Sequence, residues 1–404
     1  MSPSKPRYRW AMLVLAWLLY FAFGLIFTAL PPLVTLIIRD LGLTYTQMGM
    51  IAGAWQLTYI FVAYPLGLAI DRLGTQRSLF LGITILSSSG VLRAFALNFE
   101  TLFASVALFG LGGPLISIGL AKLISIIFAA EERGTASGVY ATGSIAGNVT
   151  SMAVTNSVLL PIVGHWRNAF LTYGLFGFSV AAIWFFFGWM SRHSRVLMAE
   201  SSAAKAAGGQ VEMKSVLRCG SVWVAVTLGI THFLGNHTLM TWLPKILEHR
   251  GATPAYAGFV ASLLTLFSVF GSAAIPRLSY IVKSRRALIS TILLVEGVAI
   301  LVIGTTDGPL FWIGMLLGGV CLGSMMPLLL LILMNLPEVG SGRMGAASGL
   351  FFTVGEIGGF SGPFIMGFLR DLTGSFLAGI YFLASVTLTA ILAAAFLKER
   401  QHSN

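Results

Sequence analysis

The chain has 404 residues, a net charge of +11, 56% hydrophobic residues and only 10% charged residues. Its mean hydropathy of +0.87 reflects more apolar surface than a water-soluble core can bury, so the composition excludes an ordinary soluble protein. The two cysteines, Cys219 and Cys321, lack the spacing of metal ligands. We therefore predict neither a metal site nor a disulfide framework.

Twelve apolar stretches follow one another along the chain. As helices rising about 1.5 Å per residue, they are long enough to cross a hydrocarbon layer of about 30 Å. The strands of a membrane β-barrel would instead alternate in polarity over about 10 residues. The stretches cover residues 10–37, 46–69, 77–97, 100–129, 134–163, 168–190, 219–247, 254–280, 286–305, 308–337, 344–370 and 374–397. The sequence thus predicts an all-α membrane protein with twelve transmembrane helices.

One long polar segment interrupts this pattern and leaves six predicted helices on each side. Residues 191–218 have too few apolar side chains to bury a core of their own, so we interpret them as a linker. The predicted organisation is an N-terminal six-helix bundle over residues 1–190, a cytoplasmic linker over 191–218, and a C-terminal six-helix bundle over 219–404.

The two halves are related by an internal repeat. Three pairs of segments match at offsets of 209 to 213 positions: RGTASG at 133–138 with MGAASG at 344–349, G-x-T-x4-G at 42–49 with the same pattern at 251–258, and Leu-Pro at 30–31 with Leu-Pro at 243–244. Repeats of this kind indicate two pseudo-symmetric bundles with a substrate cavity between them near the middle of the membrane.

The basic residues are distributed unevenly between the two sides of the membrane. If the N-terminus is cytoplasmic, eighteen Lys and Arg lie on that side and five on the other. Positive charge favours the cytoplasmic side, so we predict that both termini are cytoplasmic. The excess of positive charge then reflects topology, and no nucleic-acid partner is expected. The first apolar run has no cleavage site after it and is predicted to be a spanning helix, not a signal peptide.

A short charged turn, GLAIDRLGTQR at 67–77, joins the second and third predicted helices. Its glycines and charges resemble the pattern G-x-L-A-D-R-x-G-R-K of the major facilitator superfamily, with Thr75 and Gln76 in place of the last two basic residues. The segments ERG at 132–134 and W-R-x-A-F at 166–170 are also similar to patterns of this family. The resemblance covers nearly the whole chain and implies a transporter that works by alternating access. It assigns gating roles to the following residues of the turn: Gly67, Asp71, Arg72, Gly74 and Arg77.

The chain also departs from the family in two places. The arginine that the family often has in the middle of helix four is replaced by Val106, four residues before Gly110. The corresponding turn of the second half, PRLSYIVKSRR, keeps basic residues but no aspartate. The simpler alternative for the turn at 67–77 is that it only reverses the chain, with its charges in water.

No catalytic motif or cofactor loop is present, so we predict that the protein is not an enzyme and has no cofactor. Transport instead requires polar groups at mid-membrane depth. Glu356 is the candidate for proton coupling, with a structural acid as the alternative. The candidates for substrate binding are Tyr20, Gln56, Lys122, Asn148, His232 and Asn236. For Lys122 the alternative is snorkelling to the surface, and for His232 it is hydrogen bonding within the bundle.

Two further ionisable residues lie in predicted helices that are peripheral in this architecture. We expect Arg93 to extend to the outer surface and Glu296 to be paired inside the bundle.

Three functions fit the sequence. The first is proton-coupled uptake, by symport, of a small organic anion, because LGLTYTQMGMIAGAW and EERGTASGVYATGSIAG are similar to segments of small-anion and carboxylate permeases. The second is proton-driven export of an amphipathic drug or metabolite. The third is a membrane receptor or assembly component that does not transport. We expect a monomer in the lipid bilayer of a bacterial inner membrane.

Overall fold

The computed structural model describes residues 6–190, 217–282, 284–336 and 339–397. Within these ranges the chain forms twelve long helices. They are α1 (Pro6–Phe27), α2 (Tyr45–Leu73), α3 (Thr75–Ala94), α4 (Phe99–Ile127), α5 (Ala130–Val154), α6 (Trp166–Met190), α7 (Gly220–His249), α8 (Pro254–Ile281), α9 (Arg285–Thr305), α10 (Gly308–Met334), α11 (Gly340–Thr373) and α12 (Leu377–Ala394). The predicted all-α membrane fold is confirmed.

Proline and glycine decide where several of these helices end. The first predicted span, 10–37, is divided because α1 stops at Phe27 and a 3-10 turn over Pro31–Leu33 leads into a short helix, Val34–Leu41. The C-terminal end of α5 is followed directly by the π-helical turn Thr155–Leu159 and the short helix Leu160–Val163. Eight helical segments of the described residues are apolar and long enough to cross a membrane, among them Tyr8–Leu41.

The turn between α2 and α3 is shorter than the sequence suggested. α2 runs through to Leu73 and α3 begins at Thr75, so Gly74 alone separates them. Gly74 has φ 82° and ψ 151°, a conformation that is essentially restricted to glycine. A side chain at this position would therefore strain the connection between the two helices.

Two compact units can be distinguished along the chain. The first contains α1, the part of α2 from Leu57 onwards, α3 to α6, and Thr253–Phe259 at the start of α8. The second contains α2 up to Gln56, α7, the remainder of α8, and α9 to α12. The predicted boundaries 1–190, 191–218 and 219–404 stay a prediction, since residues 191–216 of the linker lie outside the described part of the chain.

The same glycine-mediated packing occurs in each unit. In the first, Gly147 of α5 lies so close to the Phe21 carbonyl of α1 that a Cβ atom would clash with it. In the second, Gly358 of α11 lies equally close to the Ile230 carbonyl of α7. Small residues allow membrane helices to approach backbone to backbone in this way. The two pairs are offset by 211 and 209 positions, which agrees with the predicted repeat.

Candidate functional site

A cluster of polar side chains lies inside the second unit, where α2, α7 and α11 meet. We call it the Glu356 cluster, and it consists of Gln56, His237, Glu356 and Gly359. The Glu356 side chain is buried, and its Oε2 atom lies 3.5 Å from Nε2 of His237. An acid and an imidazole this far from water form a pair that can hold a proton.

Gly359 makes room for this convergence. A Cβ atom at Gly359 would clash with Oε2 of Glu356, and it would lie 2.9 Å from Cδ2 of His237 and 3.2 Å from Cγ of Gln56. Three polar side chains from three helices therefore occupy the space that a side chain at Gly359 would take. The absence of a side chain at this one position is what lets them meet.

Gln56 joins the cluster through one hydrogen bond. Its Nε2 donates to the Gly359 carbonyl at 3.3 Å, while Oε1 has no hydrogen-bond partner among the described residues. Gln56 is buried with 1% exposure, so the vacant acceptor has a cost unless another group supplies a donor. The amide thus offers one fixed contact to the protein and one acceptor to a ligand.

Two aromatic rings hold the imidazole of His237. The Trp55 ring meets it edge-on at 5.5 Å between centroids, and the Phe233 ring stacks on it at 5.9 Å. These contacts restrict the orientation of the ring and direct its nitrogen toward Glu356. The result is a polar pair with apolar walls.

The cluster includes two of the residues selected from sequence, Gln56 and Glu356. The histidine that contacts Glu356 is His237, whereas His232 lies five positions earlier and on a different face of α7. His232 is buried, its ring packs against Phe233, and its Nδ1 has no hydrogen-bond partner in the described part of the chain. Asn236 is half-buried.

The remaining substrate candidates belong to the first unit. The Tyr20 ring packs against Phe23 and Tyr140 at 5.3 and 5.7 Å. Oδ1 of Asn148 accepts a hydrogen bond of 3.1 Å from the Thr28 hydroxyl. Lys122 is half-buried near the C-terminal end of α4. Their roles in substrate binding stay predictions.

The residues proposed for gating surround the turn at Gly74. Arg72 and Arg77 are exposed, and the space beside Gly67 is open, since the nearest atom to an added Cβ is Cδ1 of Ile118 at 3.9 Å. The side chain of Asp71 lies outside the described residues. The gating role of this turn stays a prediction.

Two sequence-based predictions about ionisable residues are wrong. Arg93 does not extend to the surface: it is 2% exposed, and it donates hydrogen bonds to the Ile26 carbonyl at 3.0 Å and to the Ser89 hydroxyl at 3.2 Å. The long guanidinium caps the last carbonyls of α1, where a cation is favoured by the helix dipole. Glu296 is buried, but among the described residues it has no hydrogen-bond partner.

The described residues show no cluster suited to a metal centre. No group of three or more His, Cys, Asp or Glu side chains suited to a metal ion occurs among the described residues. A buried acid and imidazole beside a vacant amide acceptor can bind a proton and a polar solute. Such an arrangement in a bundle of membrane helices is typical of a transporter.

Comparison with known proteins also indicates a transporter. The sequence model of the Major Facilitator Superfamily matches residues 16–363. The chain is 26% identical to the "Probable galactarate/D-glucarate transporter GudP" of Bacillus subtilis (strain 168), over 88% of this chain and 84% of that protein. It is 24% identical to the "Hexuronate transporter" of the same strain, over 85% of this chain and 84% of that protein.

A solved structure shows the same fold. The inward-open structure of the xylose transporter XylE from E. coli aligns with a TM-score of 0.76 at 14% identity, over 98% of both chains. The family match and the named relatives identify an integral membrane transporter, a class of protein that is not an enzyme. The chain belongs to the Major Facilitator Superfamily.

Proposed function

We propose that the protein is a proton-coupled secondary transporter that takes up a small organic anion by alternating access. The observation that carries this proposal is the buried contact of 3.5 Å between His237 and Glu356, next to the vacant acceptor of Gln56. A buried acid that contacts an imidazole provides a place for the coupling proton, and the amide provides a place for the solute.

The charges of this pair explain how proton and anion binding are linked. With Glu356 ionised, the pair has no net positive charge and the carboxylate repels an anion. With Glu356 protonated and His237 charged, the pair has a net charge of +1 and attracts an anion. Proton binding and anion binding therefore favour each other, which is the requirement for symport.

The substrate class that fits is a hydroxylated carboxylate. The two relatives are named for galactarate, D-glucarate and hexuronate, which are anions rich in hydroxyl groups. Hydroxyl donors match the vacant Oε1 of Gln56. Within the same unit, Asn236 would supply a further hydrogen bond. Tyr20, Asn148 and Lys122 of the first unit stay separate candidates for substrate binding.

The setting is the inner membrane of a bacterium, with both termini in the cytoplasm. The uneven distribution of Lys and Arg supports this orientation. We propose a monomer in the lipid bilayer. The exposed charges at Arg72 and Arg77, with Asp71, would act as the cytoplasmic gate.

A second candidate function is the export of an amphipathic compound. The rings of Trp55 and Phe233, which enclose His237, favour an apolar ligand. With Glu356 as the buried acid, such a site would bind a lipophilic cation.

A ligand panel separates the two functions. Purified protein is screened for thermal shift, and proteoliposomes for uptake, with galactarate, D-glucarate, a hexuronate and a lipophilic cation such as tetraphenylphosphonium. We expect a hydroxylated carboxylate to stabilise the protein and to be taken up. The Gln56→Leu variant should weaken this effect, whereas Gln47→Leu, a half-buried position at the start of α2, should leave it unchanged. Stabilisation and flux with the cation alone would contradict anion transport.

A further inference from the structure

The interior of the second unit contains a buried acid that the Glu356 cluster does not use. Glu296 lies in the middle of α9, about 16 Å from the start of that helix by the rise per residue. It is 1% exposed, and neither carboxyl oxygen has a hydrogen-bond partner among the described residues. A structural acid at such a depth is normally satisfied by donors. Within the described part of the chain no donor reaches this one, and an ionised carboxylate without a partner is strongly disfavoured there.

Glu296 points toward α7. A Cβ atom added at Gly235 of α7 would lie 3.5 Å from Oε1 of Glu296, which is its one neighbour within 4 Å from another helix among the described residues. The missing side chain at Gly235 therefore lets the carboxyl group reach the backbone surface of α7. The sequence suggested that α9 is peripheral, yet its acid reaches the helix that carries His232 and His237.

The titratable groups that face Glu296 are few. α10 contributes Cys321, which is buried and within electrostatic range of the carboxyl group. α12 packs against α9 beside Gly297 through Ala384 and Leu388, and its only titratable residue, Tyr381, is exposed. On α9 itself the nearest charged residues are Arg285 and Arg286 in the first turn. The remaining neighbour is α7.

On α7, the titratable residue nearest in sequence to Gly235 on the same face is His232. It precedes Gly235 by three positions, so the two lie on one face of the helix, about one turn apart. Its Nδ1 has no hydrogen-bond partner in the described part of the chain, and the residue is buried. His232 is also within electrostatic range of His237, which contacts Glu356. Buried or half-buried titratable groups thus occur on α9, α7 and α11.

We propose that Glu296 is a second, interior proton-binding site of the transporter, and that His232 connects it to the Glu356 cluster. In the described arrangement the carboxyl group holds a proton. When the proton leaves, the O–H bond of Glu296 breaks, a carboxylate remains, and a ring nitrogen of His232 accepts the proton to give imidazolium. This inference rests on the proposed proton coupling, since it assigns a second group to the same proton pathway.

Infrared difference spectroscopy on the purified full-length protein tests the assignment without transport. Spectra are recorded between acidic and alkaline buffer for the wild type, Glu296→Gln and Glu356→Gln. We expect a protonated-carboxyl band in the wild type that disappears in alkaline buffer, is missing in Glu296→Gln and persists in Glu356→Gln. A set of carboxyl bands unchanged in Glu296→Gln, or a Glu296 band that does not respond to alkaline buffer, would overturn the proposal.

A second variant keeps the test decisive if Glu296→Gln does not fold. Gly235→Ser places a hydroxyl group next to Oε1 of Glu296, and the new hydrogen bond should shift the carboxyl band in frequency. Gly235→Ala fits the same space without a donor and should not shift it. An identical band in all three proteins would contradict the assignment.

The failure of this inference can be told apart from the failure of the proposed function. If the wild type moves its substrate without protons, the coupling proposed for Glu356 fails, and the infrared result still decides whether Glu296 exchanges a proton. If transport is coupled but the Glu296 band does not respond to alkaline buffer, only the interior site is refuted.

Discussion

The carboxylate of Asp371, in the last turn of α11, accepts two hydrogen bonds from Thr46, in the first turn of α2. One comes from the backbone nitrogen at 2.7 Å and the other from the hydroxyl at 2.6 Å. The backbone nitrogen of Tyr45 donates a third, at 3.1 Å. A carboxylate at a helix start satisfies free N–H groups and complements the helix dipole. The start of α2 is thus capped by a residue 325 positions away in the sequence.

We expect Asp371→Ala to remove this cap and to cost about 1 kcal/mol of stability. Asp371→Asn keeps one acceptor oxygen and should cost less. Thermal unfolding of the purified variants in detergent measures the difference. Equal stability of all three proteins would show that the cap contributes nothing.

The same contact predicts a dependence on pH. Asp371 lies just beyond the predicted span 344–370. Its partial burial raises the pKa of the carboxyl group, but the hydrogen bonds from Thr46 and Tyr45 have the larger effect, and the pKa is lowered from its ordinary value. A lowered pKa in the folded state means that the stabilisation is present above the unfolded pKa, about 4, and is lost as pH falls through the folded pKa. The stability difference between wild type and Asp371→Asn should therefore be constant down to about pH 4 and shrink below it. A difference that grows on acidification would contradict this.

A close contact between a glycine and the backbone carbonyl of a facing helix occurs at equivalent places in the two units. Gly49 of α2 lies against the Pro363 carbonyl of α11, and Gly258 of α8 lies against the Met152 carbonyl of α5. A Cβ atom would clash with the backbone oxygen at either position. We expect Gly49→Ala and Gly258→Ala each to destabilise the protein by about 1–3 kcal/mol, because the facing backbone has to move.

Gly138→Ala is the matched control, since none of the described residues of a neighbouring element lies within 4 Å of an added Cβ at this position in α5. Alanine replaces glycine inside a helix there and should be neutral or stabilising, by up to about 1 kcal/mol. Thermal unfolding compares the three variants. A loss of stability in Gly138→Ala as large as that in Gly49→Ala would show that close helix packing does not cause the destabilisation.

The arrangement of the Glu356 cluster depends on Gly359. Gly359→Ala should displace the Glu356 carboxylate from His237, because the new Cβ would clash with Oε2. We expect substrate-driven transport to fall at least about tenfold, equivalent to about 1.4 kcal/mol, while the protein still inserts and folds. Gly349→Ala, on the same helix with open space around it, should transport at the wild-type rate. Wild-type transport by Gly359→Ala would remove the support for the cluster as the binding site.

Much of the fold could be predicted because a run of about 20 apolar residues by itself indicates a membrane-spanning helix. α2, for example, was expected over 46–69 and extends over Tyr45–Leu73. The repeated glycines at 49 and 258 were recognised from sequence as well. The structure shows why glycine is needed at these two positions: Gly49 contacts Pro363, and Gly258 contacts Met152.

The Glu356 cluster, as a candidate site, could be predicted only in part. Gln56 and Glu356 stand out as polar residues in apolar helices, but choosing between His232 and His237 requires the rotation of α7 against α11. That rotation is set by backbone contacts such as Gly358 with the Ile230 carbonyl, which leave no periodic signal in the sequence.

Arg93 and Glu296 were mispredicted for a similar reason. A single charge in a helix that is apolar on every side does not reveal which way it points. In the structure both side chains turn inward: Arg93 reaches the carbonyl end of α1, and Glu296 reaches the surface of α7 at Gly235.

The most direct test of the account is the simultaneous measurement of proton and anion flux in proteoliposomes that contain the purified transporter. With a hydroxylated carboxylate such as D-glucarate outside, we predict that an inwardly directed proton gradient drives its accumulation and that the lumen acidifies as the anion enters. Glu356→Gln should exchange the anion across the membrane but should not accumulate it, whereas Glu100→Gln, at the exposed start of α4, should behave as wild type. Accumulation by Glu356→Gln equal to that of the wild type, or anion entry without protons in the wild type, would contradict proton coupling through Glu356.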